Sequence, residues 1–409
     1  MTNYAVLIGA LDTKGIEFRF VKEGLERLGI PTLIIDVGVL DTPLFEPDIR
    51  AEEVAVAAGT TLEQLRQIND RGKAVTAMAE GAFQILKRLV SERRVGGVFG
   101  MGGTAGTTVG AAAMKAVPIG IPKLLVSTVA SGNTRPYVGV KDVTMMYSVV
   151  DIAGINKLSR RILSNAVYAL AGMVKEIQAE SSIQEERVTL GMTMFGVTTP
   201  CVTRVREILE TRGYDLLVFH ATGAGGMAME ELIDAGYIKG VLDITTTELA
   251  DELVGGIFSA GPHRLEAGAR ADIPQVVSVG AMDMVNFGQT ETIPAQFKDR
   301  QFYQHNPTTT LMRTTEEENR RLGTILAEKL NQASNKTVVI FPKGGVSLLD
   351  LPSKAFHGPE QREALYSSLK STLKPEIPFI ETDFDINDPS VATLIATTMI
   401  RLMEGNSNE

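Results

Sequence analysis

Tryptophan is absent from the 409 residues, and cysteine occurs once, at Cys201. A single thiol excludes a disulfide within the chain and any zinc site built on several cysteines. It suits a reducing compartment. No apolar run approaches the roughly 20 residues that a membrane span requires. The opening Met1-Thr2-Asn3-Tyr4 lacks the basic start and the small-residue cleavage site of a secretory signal. A cytoplasmic protein with no membrane partner is expected. A basic excess is missing too: 40 Lys and Arg stand against 49 Asp and Glu, a net charge of -9. Duplex binding normally uses a clustered basic stripe, so no nucleic-acid partner is expected. Net charge leaves a local basic pocket for phosphate open. His-Glu-x-x-His, a nucleophile elbow and metal-spaced cysteines are all lacking.

What is present reads as ordinary globular α/β sequence. Hydrophobic residues make up 44% and charged residues 22%, near the soluble average. The length suits two domains. Buried-strand runs, glycine turns and amphipathic helices alternate. Residues 4–8 are a continuous apolar run and residues 33–37 the next buried strand, flanking a helical pattern through Ile16, Phe20, Val21, Leu25 and Leu28. This is a β-α-β unit, whose right-handed crossover implies a parallel sheet. Residues 51–92 predict two or three helices, 95–100 and 124–126 strands, and 151–178 a long helix. The polar stretch Glu180–Arg187 is the best linker. A second cycle follows, with strands near 188–192, 216–219, 241–244, 276–279 and 338–341. Its helices lie near 202–209, 227–234, 316–330, 359–373 and 390–403.

The fold expected is α/β, with two Rossmann-like, doubly wound, mainly parallel domains over 1–182 and 187–409. The halves also rhyme. The opening strand and helix parallel residues 188–214, and the strand and turn of 95–108 parallel 214–226. An internal duplication is suggested by this pattern.

Four turns could cradle an anion, because glycines let backbone N–H groups approach a ligand and a helix N-terminus adds partial positive charge. The run Gly100-Met101-Gly102-Gly103-Thr104-Ala105-Gly106-Thr107-Thr108 is the richest. Gly102, Gly103, Thr104 and Thr107 are its candidate phosphate contacts. It is neither a Walker loop nor a clean Gly-x-Gly-x-x-Gly, and a tight turn with a capping threonine would explain part of it. In Gly9–Gly15, Asp12 suits an N-cap. Lys14 then opposes the helix dipole, a local conflict that a bound anion would relieve; Lys14 pointing into solvent is the plain alternative. The turns at Gly223, Gly225 and Gly226 and at Gly344 and Gly345 are as readily bland as binding.

His220 stands at a strand's carboxyl end, where open α/β sheets place ligands. It suits either a general base or a backbone-bonded cap. Asp243, also at a strand end, could do acid/base work or hold Mg²⁺ beside phosphate. Glu248, Asp251 and Glu252 fit an ordinary first helical turn. Arg264 and Arg270 could grip a phosphate or carboxylate as a substrate clamp, or form surface ion pairs. The cluster Ser127–Asn133 follows another strand and could line the N-terminal cleft.

The segments GALDTKGIEF, GMGGTAGTT, GVTTPCV, HATGAGG and FPKGGVS together resemble the UPF0261 family of Tm-1-like ATP-binding domain proteins over essentially the whole chain. The resemblance implies two Rossmann-like halves and ATP as a ligand. Plant members carry a further barrel domain, which this sequence lacks, so their antiviral role is not expected here.

Three functions remain open at this level. One is an ATP-binding protein that holds phosphates, with Mg²⁺, at glycine turns in a cleft between the domains. Another is a metabolic enzyme on a small phosphorylated or carboxylated metabolite, with His220 as acid/base. The third is a regulatory scaffold that closes on its ligand. A homo-oligomer is expected only because symmetric dimers are common.

Overall fold

The computed structural model describes residues 3–179, 187–333 and 336–405. The expected linker, Arg187 apart, lies outside these residues. The chain divides into two compact units, Met1–Gln184 and Glu185–Glu409.

The first unit holds a five-stranded sheet of β1 (Tyr4–Gly9), β2 (Thr32–Asp36), β3 (Val95–Gly102), β4 (Lys123–Ser127) and β5 (Val143–Tyr147). Every pairing is parallel, and the order is β2-β1-β3-β4-β5. The direction of winding therefore reverses between β1 and β3. The strands are apolar on both sides because both faces are covered. Val6 and Ile8 pack with helices Ala51–Ala57, Arg71–Ser91 and Thr104–Met114. Ala5 and Leu7 face the opposite layer, helices Leu11–Arg27 and Lys157–Ala179.

The second unit contains β6 (Thr189–Met194), β7 (Asp215–His220), β8 (Gly240–Thr245), β9 (Gln275–Gly280), β10 (Met284–Phe287), β11 (Phe302–Asn306), β12 (Thr309–Arg313), β13 (Thr337–Pro342) and β14 (Phe379–Thr382). Its main sheet runs β14-β13-β9-β8-β6-β7, all parallel. Counted from its own first strand, this is the order of the first sheet with one strand added. Helices Thr199–Thr211 and Pro389–Met403 cover one face. Helices Glu316–Leu330 and Pro359–Thr372 cover the other. Strands β10, β12 and β11 form a small antiparallel sheet, which the sequence pattern did not reveal.

The shared order corrects one of the parallels read from sequence. Strand β1 does correspond to β6. Strand β3, however, sits beside β1 in the sheet as β8 sits beside β6, whereas β7 is an edge strand like β2. The glycine turn after β3 is therefore matched in position by the segment after β8, not by the turn after β7. Among the described residues no helix is long and apolar enough to cross a membrane.

Candidate functional site

In an open doubly wound sheet, the loops on either side of the winding reversal part and leave a crevice at the carboxyl ends of the strands. In the first unit the crevice is a cavity of about 480 Å³. The exit of β1 lines it with Ala10, Asp12 and Thr13, and the exit of β2 with Val37, Val39 and Leu40. The helix after β3 contributes Ala105, Gly106 and Val109. Leu65, Arg66, Asn69, Asp70, Arg71, Ala74, Val75 and Met78 complete the wall. The lining is apolar with a few polar groups, as small-molecule sites are.

The helix Thr104–Met114 begins at this cavity. Its N-cap is Gly103, and among the described residues no side chain accepts a hydrogen bond from its first turn. Gly102 and Gly106 have packing reasons to be glycine. A Cβ on Gly102 would lie 2.9 Å from the Gly106 Cα, and one on Gly106 would lie 2.8 Å from the Met101 carbonyl oxygen. A Cβ on Gly103 would meet only the Thr128 Oγ1, at 3.8 Å. The space over Gly103 is thus left open by the protein. Thr104 is exposed. Thr107 is buried, and its hydroxyl lies 2.6 Å from the Ser127 hydroxyl, tying the helix to β4.

The other three glycine turns are met by carboxylates of the protein itself. At the first, the Asp36 Oδ1 accepts from the Leu11 and Gly38 N–H groups, each at 2.9 Å. Burial pushes the Asp36 carboxyl above its ordinary range. At the second, the Glu248 Oε1 accepts from the Gly223 N–H at 2.7 Å and the Gly226 N–H at 3.1 Å. At the third, the Asp350 Oδ2 accepts from the Val346 N–H at 3.1 Å. In each of these three turns a side-chain carboxylate takes the backbone N–H groups that a ligand anion would need. Gly225 and Gly226 are small for internal reasons: a Cβ would run into the His220 carbonyl oxygen or the Glu248 carboxylate. Gly344 approaches the backbone of Asp385, whose nitrogen would lie 2.6 Å from a Cβ. The backbone of Gly345 is bridged to Asp385, and a Cβ there would lie 3.2 Å from the Asp350 carbonyl oxygen.

The remaining candidates fall in different places. Asp12 is not the N-cap, which is Ala10. It lies within the first turn, and its Oδ2 accepts from the N–H groups of Leu40 (2.9 Å) and Asp41 (3.3 Å), fixing the loop over the cavity. Lys14 does not point into solvent: its Nζ donates to the Ile152 carbonyl, and Glu17 accepts from the Gly154 N–H at 2.6 Å. Together they clasp the segment before helix Lys157–Ala179, which accounts for the misplaced cation.

Asp243 and Arg264 meet each other, and both are 1% exposed. The guanidinium Nη1 and Nη2 donate to the two Asp243 oxygens at 2.5 and 2.6 Å. Its Nε donates to the Glu248 Oε2 at 2.6 Å, and Thr193 donates to Asp243 at 2.8 Å. Arg264 is therefore neither an open anion clamp nor a surface ion pair but part of a buried knot, in which both Asp243 oxygens are taken by its guanidinium. Burial disfavours the guanidinium charge, yet Asp243 and Glu248 hold its pKa well above the usual value. Arg270 pairs with Asp234 at 2.8 Å on the surface. The His220 ring lies 5.3 Å from the Phe195 ring, and burial lowers its pKa. Among the described residues no side chain bonds that ring, and no group of three His, Cys, Asp or Glu could hold a metal ion.

Arg66 and Arg71 were not singled out from sequence because they lie far along the chain from any glycine turn. A signal was present: Arg71 opens a helix, where a cation opposes the dipole.

Two family models match the chain. They are described as the N-terminal domain (residues 3–179) and the C-terminal domain (residues 187–403) of an uncharacterised protein family, UPF0261. A UPF0261 protein of Clostridium tetani is 51% identical over 405 residues, covering 99% of this chain and all of that one. The tomato protein named ToMV susceptible protein tm-1(GCR26) is 48% identical over 387 residues; the match covers 90% of this chain and 51% of that protein. Among solved structures, the UDP-GlcNAc 2-epimerase of Methanocaldococcus jannaschii in complex with UDP-GlcNAc and UDP aligns over 68% of this chain and 83% of that one. Identity there is 10% and the TM-score 0.23, too slight an overlap to bear on the ligand.

Proposed function

The chain belongs to the UPF0261 family, and we propose that its N-terminal unit binds a phosphate-bearing small molecule, foremost a nucleotide such as ATP. One observation carries this reading. Among the described residues, three of the four glycine turns have backbone N–H groups bonded to a protein carboxylate, whereas the one after β3 does not, and it opens on the cavity at the winding reversal. Phosphate oxygens would take the free N–H groups of the first turn over Gly103 and Thr104, with Arg66 and Arg71 supplying countercharge. The apolar wall of Val37, Val39, Val75 and Met78 suits a nucleobase or another flat apolar group. Mg²⁺ would arrive on the phosphates, since such sites usually borrow ligand oxygens and only one or two carboxylates; Asp70 and Asp12 are the nearest candidates in the lining.

The test is thermal unfolding with ATP and Mg²⁺ for wild type and Ala105→Glu. A ligand at about 100 times its Kd should add roughly 2.7 kcal/mol of stability. Ala105 lines the cavity in the first helical turn. A glutamate there repels phosphate, yet it favours the helix by about 0.3–1 kcal/mol. The variant should therefore fold normally and lose the ligand-induced shift. An undiminished shift would place the ligand elsewhere.

A further inference from the structure

The C-terminal unit contains an anion cradle that is already filled. The turn at Gly223–Gly226 leads into the helix Ala224–Asp234, and two of its N–H groups converge on one oxygen of Glu248. The other Glu248 oxygen is held by the Nε of Arg264. Glu248 itself is wholly buried, and burial pushes its pKa above the ordinary carboxylate value. Two convergent backbone donors, a helix N-terminus and an enclosed guanidinium are what a protein uses to bind a small carboxylate or the oxygens of a phosphate. Here those donors meet a carboxylate delivered from the first turn of the neighbouring helix, Glu248–Val254. While that side chain remains, its two oxygens occupy the donors a second anion would need.

We propose that Glu248 is a specificity-determining residue: its carboxylate stands in for a ligand anion and keeps the C-terminal cradle from binding one. The unit would otherwise carry a second anion site of the same physical type as the one after β3. Shortening Glu248 should expose a site for a one-carbon or two-carbon carboxylate, because that is the volume and charge removed. The remaining charges are compatible with this. Arg264 keeps Asp243 and the more distant Glu230, so its guanidinium stays anchored and presents its vacated Nε to the incoming oxygen.

The experiment compares thermal unfolding of wild type, Glu248→Ala and Glu248→Gln in sodium formate against sodium chloride at equal ionic strength. Glu248→Ala should melt lower than wild type in chloride and recover at least half of that loss in formate, saturably. Glu248→Gln fills the space and keeps an acceptor for the Gly223 and Gly226 N–H groups, so formate should not raise it beyond the wild-type response. All three proteins share the N-terminal cavity, so any formate effect there is common to them and cancels. A Glu248→Ala response equal to that of wild type overturns the proposal, and so does an equal response of Glu248→Gln. If Glu248→Ala does not fold in chloride, its refolding yield in formate becomes the readout. Failure to recover there, with Glu248→Gln folded, overturns the proposal as well.

Discussion

Arg264 is enclosed completely, and the three carboxylates it faces come from separate elements: Asp243 from β8, Glu248 from the next helix and Glu230 from the helix Ala224–Asp234. A buried ion pair is weak evidence of net stabilisation, since both charges give up water. Removing one partner is different, because the other charges stay buried and unpaired. Arg264→Leu should therefore lower the unfolding free energy by about 3–5 kcal/mol in urea titration. A loss below about 1 kcal/mol would mean that the carboxylates neutralise or find water, and that the knot is not what fixes this end of the sheet. The same residue marks what was legible in the sequence. Arginine, aspartate and glutamate at strand ends and loops were visible as candidates. That they would satisfy one another was not, because their partners lie about 16 to 34 positions apart and only the fold brings them together. By contrast, the turn at Gly102–Thr104 was legible, because its chemistry is contiguous in sequence.

At the scale of elements, the strands buried on both faces were the easiest to read. Residues 4–9, 240–245, 275–280 and 337–342 are unbroken or nearly unbroken apolar runs, and all lie inside their sheets. Of the missed strands, β5, β14 and β11 are edge, partly exposed ones, whereas β10 and β12 are buried but only four and five residues long. Residues 143–147 (VTMMY) and 379–382 (FIET) close the two sheets, and 302–306 (FYQHN) is largely exposed. With one side open to water they need no continuous apolar run, so the signal that marks a buried strand is absent. Helix pairing depends on finer detail. Helices Glu316–Leu330 and Pro359–Thr372 approach so closely at Gly323 that a Cβ would run into the Ser368 hydroxyl and lie 2.6 Å from the Leu365 carbonyl oxygen. Alanine normally gains about 1 kcal/mol over glycine inside a helix. Overpacking costs about 1–3 kcal/mol, and here two of the obstructing atoms, the Leu365 carbonyl oxygen and the Leu369 nitrogen, are backbone. Gly323→Ala should thus destabilise the protein by about 1–2 kcal/mol, and adding Ser368→Ala should recover only part of that, as measured by urea unfolding. A stabilised Gly323→Ala would show that the helices part easily, contrary to the close fit.

At the scale of the whole molecule, two units repeat one strand order but use their charged interiors differently. The first keeps its crevice open between β1 and β3. The second fills the equivalent region with buried polar groups, and this gives it a distinctive response to pH. Asp251 is fully buried, and burial pushes its pKa to about 7, despite the hydrogen bonds from Asn286 and the Phe258 N–H that favour the charged form. An acid whose folded pKa is raised adds stability that is fully present below its unfolded value. That contribution is lost as pH rises through the folded value. The window for Asp251 therefore runs from about pH 4 to about pH 7. Other carboxylates act in the opposite sense: burial alone would raise Glu318, but Arg300 holds it below the ordinary value, so its contribution fades as pH falls. The absolute pH profile sums both kinds, and only a difference isolates one. Asp251→Asn supplies it. The amide keeps an acceptor for the N–H groups of Phe258 and Asn286, and the new NH2 can be met by turning the Asn286 amide, whose oxygen has no partner now. Each unit of displacement corresponds to about 1.4 kcal/mol. The stability of Asp251→Asn relative to wild type should therefore rise by a few kcal/mol between about pH 5 and pH 8, measured as urea unfolding free energy on the full chain. A difference that stays flat across that range would mean that Asp251 remains ionised in the folded protein, with water or a rearranged Asn286 offsetting its burial.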